Sequence, residues 1–471
     1  MNAKDAHTYA ELLIIGSGPG GYAAALHAKK LGLDVTLAEM EKYGGVCVHS
    51  GCMPSKALLG VTTMLHDISN STNMGISSNQ SVDFDIMNSW KDSFISQLET
   101  QIKKTFSANK VNLLSGKIEF INDTTANLTS SDSQISPLTI DFKNAIIATG
   151  SKPITLPGFK FDSSHVLDSK SALSLKSIPK KIIIIGAGYI GMELSAIFAR
   201  LGTQVDVIEI EPTILSEYEL DISKVIQKHS ENLGINFHLS ESAQSWEIKN
   251  KEIQVNTLNS QNKSQNYLCN KVIVAIGRSP LTNTLNLDAI GIKPNTSGFI
   301  PTDNNRRTAV QNIFAIGDVT SPPMLAHKAS IDGKIAVEAI LKNNFNPNIK
   351  SIPSVVFTTP EIGMVGLTQV EAEKKGFKTS IGKIPYRSIG RSLLSNHNSG
   401  FVRIVSDAST GVILGGQIVG HSASELIAEL GLAIQLGATT TDLSNTIHAH
   451  PTFSELLVLA AIASSKNQTL T

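Results

Sequence analysis

The chain has 471 residues, 41% hydrophobic and 17% charged, enough to bury more than one core and to divide into domains. Its 40 Lys and Arg balance 40 Asp and Glu, which gives no electrostatic reason to propose nucleic acid or an anionic membrane as partner. No apolar run approaches a bilayer-spanning length, the N-terminus has no signal-peptide layout, and three cysteines make no secreted framework, so a cytoplasmic protein without a membrane partner is expected.

Leu12 to Ile15 is a short apolar run, followed by GSGPGG from Gly16 to Gly21. A helical pattern continues through Leu31, Gly32 stops it, and a second strand from Val35 to Ala38 ends at Glu39. Strand, glycine turn, helix, strand and acidic end form a dinucleotide-binding unit. Gly16 permits the tight turn, and Gly20 belongs to the same loop. Gly18 lets the backbone approach a pyrophosphate at the positive helix N-terminus, and Gly21 lets the helix pack closely on the strand. Glu39 is placed to accept hydrogen bonds from ribose hydroxyls.

The next stretch, Gly44 to Lys56, reads GGVCVHSGCMPSK and holds Cys47 and Cys52. Five residues of regular helix rise about 7.5 Å, whereas a disulfide tolerates a Cα separation of at most about 7 Å. The two sulfurs can therefore bond only if the helix begins irregularly between them, and such a bond would be labile. Spacing alone favours two unrelated buried thiols. The nucleotide units on either side favour redox chemistry.

Residues 61–110 read as mainly helical, and 121–140 as short strands and turns. Ala145 to Gly150 is a buried strand ending in glycine, and Pro153, Pro157 and Gly158 mark a boundary. A second fingerprint follows: IIII from Ile182, GAGYIG from Gly186 to Gly191, a helix to Arg200, Gly202, then Val205 to Ile208 running into Glu209. Gly16 to Glu39 spans 23 positions, and so does Gly186 to Glu209, which makes the pair an internal repeat. Two dinucleotide sites follow, most simply one for a flavin and one for a nicotinamide. Glu209 favours the free ribose hydroxyls of NAD, because a 2′-phosphate would be repelled and no arginine stands immediately after it.

Ile313 to Val319 is a third glycine-ended strand, with Asp318, and Met324 to Ala329 opens a helix. From about Ile352 the pattern becomes α+β. Near the end, HAHPTFSELL places His450 before Pro451 and Glu455 five positions later. If Pro451 opens the final helix, Glu455 leans back to orient His450. A histidine pair alone more often caps or packs at an interface. Lys56 and Glu193 read, by themselves, as ordinary solvated residues.

In this order, GSGPGG, GGVCVHSGCMPSK, ATGS, GAGYIGMELS, AIGRSPLT, GFIPTDNNRRTAVQNIFAIGDV, MLAHKA, VVFTTPEIGMVG and HAHPTFSE resemble the class I flavin-dependent pyridine nucleotide-disulfide oxidoreductases over nearly the whole chain. MLAHKA and VVFTTPE look like the family's lipoamide branch. The resemblance implies an α/β fold: a FAD-binding domain at 1–150, a NAD-binding domain at 151–277, a central segment at 278–349 completing the FAD domain, and an α+β dimerisation domain at 350–471. It implies FAD and NAD as cofactors and no metal. Cys47 would be the interchange thiol that attacks substrate sulfur, and Cys52 the thiol against the flavin. Lys56 and Glu193 would pair beside the reactive ring, and Asp318 would hold the ribityl chain near Leu325 and Ala326. His450, oriented by Glu455, would be a base supplied by the other subunit of a homodimer. Gly45, Ile118, Thr149, Gly150, Gly188, Tyr189, Ile190, Ala243, Gly277 and Arg278 are further implied cofactor contacts. The implied activity oxidises a protein-bound dihydrolipoyl group and reduces NAD, with lipoyl domains and the acyltransferase core of 2-oxo-acid dehydrogenase complexes as partners. Reduction of another small disulfide is the alternative. The chain departs from the family at His49 between the cysteines, at Ile118 where glycine is common, and at Ala243 where valine is common.

Overall fold

A computed structural model describes residues 6–77, 81–130, 137–342 and 345–465. Residues 131–136 of the expected strand-and-turn stretch, 343–344 of the central segment and 466–471 of the C-terminal unit lie outside them.

The first apolar run, Leu12 to Ile15, sits mid-sheet and is buried on both faces, which is why it is continuous rather than alternating. Leu12 and Ile14 pack with Ala24, Ala28 and Phe106, while Leu13 and Ile15 pack with Phe120, Ile140 and Ile147. The strand Ala6–Ile15 pairs in parallel with Val35–Glu39 and with Leu138–Ile147. The latter begins seven residues before the expected Ala145, because its first half pairs antiparallel with Thr125–Thr129. Its last residues, Ala145 to Ile147, pair with Ile313–Ala315, so the central segment adds a strand to this seven-stranded sheet.

The second nucleotide unit repeats the first in detail. Lys181–Ile185 is the centre of a five-stranded sheet, flanked in parallel by Gln204–Glu209 and Lys271–Val274. Ile15 faces Ala38 in one register and Ile185 faces Ile208 in the other. Gly16 and Gly186 have φ of +104° and +103°, a conformation that favours glycine. A Cβ on Gly21 would stand 1.9 Å from the Gly16 carbonyl oxygen, and one on Gly191 2.0 Å from that of Gly186. Each helix, Pro19–Lys30 and Tyr189–Arg200, therefore lies directly on its own loop.

The C-terminal unit is an antiparallel sheet in the order 354–356, 361–366, 413–420, 401–407, 379–385. Helices Ala423–Leu436 and Glu455–Ser465 pack on it. Val402 and Ile404 point into its own core, whereas Val356, Ile362, Phe401 and Val419 join the core of the second nucleotide unit. The two units thus share apolar surface rather than merely touching. The last helix starts at Glu455, not at Pro451 as expected. Thr452 and Glu455 explain the delay: the carboxylate reaches back to accept the Thr452 N–H at 2.7 Å, half of a capping box. Among the described residues no helix is long and apolar enough to cross a membrane.

Candidate active site

One cavity of about 1060 Å³ connects the first glycine loop with the cysteine segment. Gly16, Gly18, Gly20 and Glu39 line one end. Ile118, Thr149 and Gly150 flank it, and Gly45, Arg278, Asp318 and Ala326 continue it. Cys47, Cys52, Lys56, Tyr189, Ile190 and Glu193 also line its wall.

The cysteine segment has the irregular start without which the two sulfurs could not bond. A short helix, Gly45–His49, ends at Ser50 and Gly51, and a new helix begins at Cys52. Both cysteines are free thiols, each partly exposed to the cavity. The Cys47 thiol hydrogen-bonds to the Cys52 sulfur, and with the Lys56 ammonium nearby this lowers Cys52 to about 7, against the opposing effect of burial. The same hydrogen bond and burial push Cys47 far above the usual thiol range. A thiol at a helix N-terminus beside a lysine is the environment that favours thiolate. His49 is engaged by other groups, with its Nε2 2.9 Å from the Tyr43 carbonyl oxygen and 3.9 Å from a Glu99 carboxylate oxygen.

Helix Cys52–Ser69 packs on helix Tyr189–Arg200, and that contact brings two residues 137 positions apart together. Lys56 Nζ donates to Glu193 Oε2 at 2.7 Å. Glu193 is 5% exposed, a buried carboxylate that needs more than one donor. Its second donor is the Phe357 N–H, 3.1 Å from Oε1. The Phe357 ring lies under the same ammonium, with Lys56 Nζ 4.4 Å from its centroid. Phe357 stands inside VVFTTPE, so the motif was visible but this contact was not.

Asp318 accepts from Ser151 Oγ at 2.5 Å, and Arg278 Nε donates to the same hydroxyl at 2.8 Å. Ser151, which the sequence reasoning missed, therefore ties the central segment to the residue after Gly150. Glu39 Oε2 accepts the Ser17 N–H at 2.8 Å and Oε1 the Glu41 N–H at 2.9 Å. Glu209 repeats the pattern with the N–H groups of Ala187 at 2.6 Å and Glu211 at 2.9 Å.

The cavity suits a dinucleotide such as FAD. Helix Pro19–Lys30 begins at Gly18 without any side-chain cap, and a Cβ on Gly18 would meet nothing within 4 Å. The first helical N–H groups are thus open to a phosphate. Gly188 starts helix Tyr189–Arg200 in the same way, as a second dinucleotide such as NAD requires.

Other expected positions lie outside the cavity lining. Gly21, Gly186, Gly188, Gly191, Glu209 and Gly277 belong to loop packing and the second fingerprint. Leu325 sits between lining residues Met324 and Ala326. Ala243 lies in the strand Glu241–Lys249, half-buried against the core of the second unit. His450 and Glu455 pair with each other, Nδ1 to Oε2 at 2.8 Å, but His450 is 80% exposed and the single chain does not bring it to Cys47. Cys269 is fully buried at the end of a strand and pushed up to about 12 by burial, as a structural thiol would be.

Residues 10–333 match the family model described as pyridine nucleotide-disulphide oxidoreductase, and residues 352–461 match that family's dimerisation domain. The chain is 45% identical to dihydrolipoyl dehydrogenase 2 of Haloarcula marismortui, covering 98% of each protein. It is 44% identical to dihydrolipoyl dehydrogenase of Halobacterium salinarum over 98% of this chain and 97% of that one. Among solved structures, LpdA from Mycobacterium tuberculosis superposes with a TM-score of 0.90 at 25% identity, covering 96% of this chain and 99% of that one.

Proposed function

The chain belongs to the pyridine nucleotide-disulphide oxidoreductase family, with FAD and NAD as its cofactors, and from that premise we propose that it is a dihydrolipoyl dehydrogenase. It oxidises a protein-bound dihydrolipoyl group to the cyclic disulfide and passes the electrons to NAD. It acts in the cytoplasm as a homodimer and as the shared dehydrogenase component of 2-oxo-acid dehydrogenase complexes, meeting their lipoyl domains and acyltransferase core. The observation that carries the reading is the convergence of Cys47, Cys52 and the Lys56–Glu193 pair in one dinucleotide-sized cavity.

In the working cycle Cys47 and Cys52 begin as a disulfide. Glu455 holds Nδ1–H of His450, which leaves Nε2 free to take a proton from a substrate thiol. In the dimer, His450 of one copy serves Cys47 of the other. The substrate thiolate attacks Cys47 Sγ and the Cys47–Cys52 bond breaks. Cys52 departs as a thiolate, and its low pKa makes it the better leaving group. The second substrate sulfur then displaces Cys47, closing the lipoyl disulfide; its proton goes to the departing Cys47 sulfur, and the first proton stays on His450. Lys56 stabilises the charge left on Cys52. FAD bound along the cavity supplies two-electron transfer between this dithiol and NAD.

The test is an anaerobic absorbance titration of the holoenzyme with dihydrolipoamide. A long-wavelength band that NAD bleaches, with NADH formed, is the expected result. A spectrum that responds to NADH but not to dihydrolipoamide overturns the substrate and leaves reduction of another disulfide.

A further inference from the structure

The Lys56–Glu193 pair is one of two rungs that tie together the same three segments. Thr63 and Arg200 lie seven positions beyond Lys56 and Glu193, which is about two helical turns. Arg200 Nη1 donates to Thr63 Oγ1 at 2.9 Å, and its Nη2 donates to Thr359 Oγ1. The upper rung is Lys56, Glu193 and Phe357; the lower is Thr63, Arg200 and Thr359. In both, the third member comes from the C-terminal unit, just after its first strand, Ser354–Val356. The segment carrying Phe357 is thus fixed against both helices at two heights.

The upper rung faces the redox pair. Glu193 gives one carboxylate oxygen to Lys56 and the other to the Phe357 backbone. The Phe357 ring, whose face lies 4.4 Å from Lys56 Nζ, attracts the ammonium as well. Two attachments therefore define where the positive charge stands, and only one of them belongs to the nucleotide unit. The Lys56 side chain is a third exposed, so a lost attachment would let its ammonium swing toward water and weaken its field at the thiol.

We propose that Phe357 is a positioning residue of the redox centre: reaching in from the C-terminal unit, it holds the Lys56 ammonium at the cavity wall that Lys56 shares with Cys52. The inference rests on the reading of Cys52 as a redox thiol. It goes further by making the charge balance at that thiol depend on how the C-terminal unit is seated. A substitution of the ring alone leaves the backbone N–H to Glu193 in place, so the ring's part is separable.

The experiment uses the FAD-loaded Cys47→Ser protein, in which Cys52 is the one remaining thiol of the pair. The pH dependence of iodoacetamide labelling at Cys52, read by peptide mass, is compared for Phe357, F357L, F357M and F357Y. F357L and F357M are expected to move half-labelling to higher pH and to slow labelling near neutrality about threefold to tenfold, while F357Y keeps the parent profile. Coincident profiles for F357L and the parent overturn the proposal, as does a shift in F357Y equal to that in F357L. If F357L does not retain FAD, F357M, which keeps most of the volume without the ring, decides the matter on the same criterion. The readout needs no dithiol substrate. A failure of dihydrolipoamide to reduce the flavin would remove the functional reading and leave this comparison intact.

Discussion

His450 and Glu455 are joined at 2.8 Å, and the carboxylate's other oxygen is occupied by the Thr452 N–H at 2.7 Å. The imidazole is therefore aimed by a group that is itself fixed. These two hydrogen bonds, the histidine's first, hold the Glu455 carboxyl below its usual range. The sign follows from that direction: the pairing is complete above the ordinary carboxylate range and is lost as pH falls through the lowered value. Glu455→Gln should lower dithiol oxidation by roughly tenfold to a hundredfold in kcat and move the acid limb of its pH profile to lower pH, because the imidazolium loses its counter-charge. Oxidation of NADH by an artificial acceptor should be unchanged. Steady-state kinetics across pH, with both acceptors, checks this.

Cys52 gives a second pH dependence. Its thiol is lowered to about 7 by the Cys47 hydrogen bond and Lys56, with burial opposing them. A depressed acid contributes stability above its unfolded value and loses it as pH falls through its folded one. In the two-electron-reduced enzyme the thiolate, and with it the long-wavelength absorbance of a thiolate beside a flavin, should be present above pH about 7 and fade below. Lys56→Met should move that midpoint upward. An unchanged midpoint in the variant would show that the lysine is not the responsible charge.

Glu39 and Glu209 make equivalent bonds to their loops, so equivalent substitutions should separate the two cofactors. Glu39→Ala is expected to yield protein with weakened FAD retention. Glu209→Ala should keep FAD and raise KM for NAD about tenfold or more, each position losing both the loop contact and the ribose acceptor. Flavin content after gel filtration and NAD kinetics distinguish the two.

Asp332 is fully buried between two cations, with Arg306 Nε at 2.6 Å and Lys328 Nζ at 2.9 Å, and it also accepts the Gly317 N–H at 3.2 Å. Asp332→Ala leaves the buried Lys328 and the partly buried Arg306 without their partner and should destabilise by roughly 3–5 kcal/mol. Thermal unfolding of the holoenzyme should register a markedly lower midpoint for Asp332→Ala and a smaller loss for Asp332→Asn.

Local chemistry made much of this molecule legible from its sequence. Gly16, Gly21, Gly186 and Gly191 announced their loops because only glycine fits a left-handed turn or a helix lying on a carbonyl. Ser50, Gly51 and Pro54 marked a turn near the cysteines, and helix geometry made a break between Cys47 and Cys52 the condition for their bonding. Residues whose importance is a tertiary meeting left no such trace. Lys56 and Glu193 looked like solvated charges until two helices crossed, and nothing about Phe357 or Ser151 in isolation foretold what they hold. The late start of the last helix was different. The Thr452-Phe453-Ser454-Glu455 pattern is a capping signature, and it outranks Pro451 as the marker of the helix start.

The matching of the two glycine loops extends from a shared 23-position spacing to paired φ angles and paired carboxylate bonds. Both loops therefore offer a nucleotide the same uncapped helix N-terminus and the same carboxylate held in place from two sides. What is alike in the two segments cannot tell one nucleotide from another. The distinction must be made by the residues around each loop. Anyone seeking to exchange the two preferences should edit those surroundings and leave the shared segment alone.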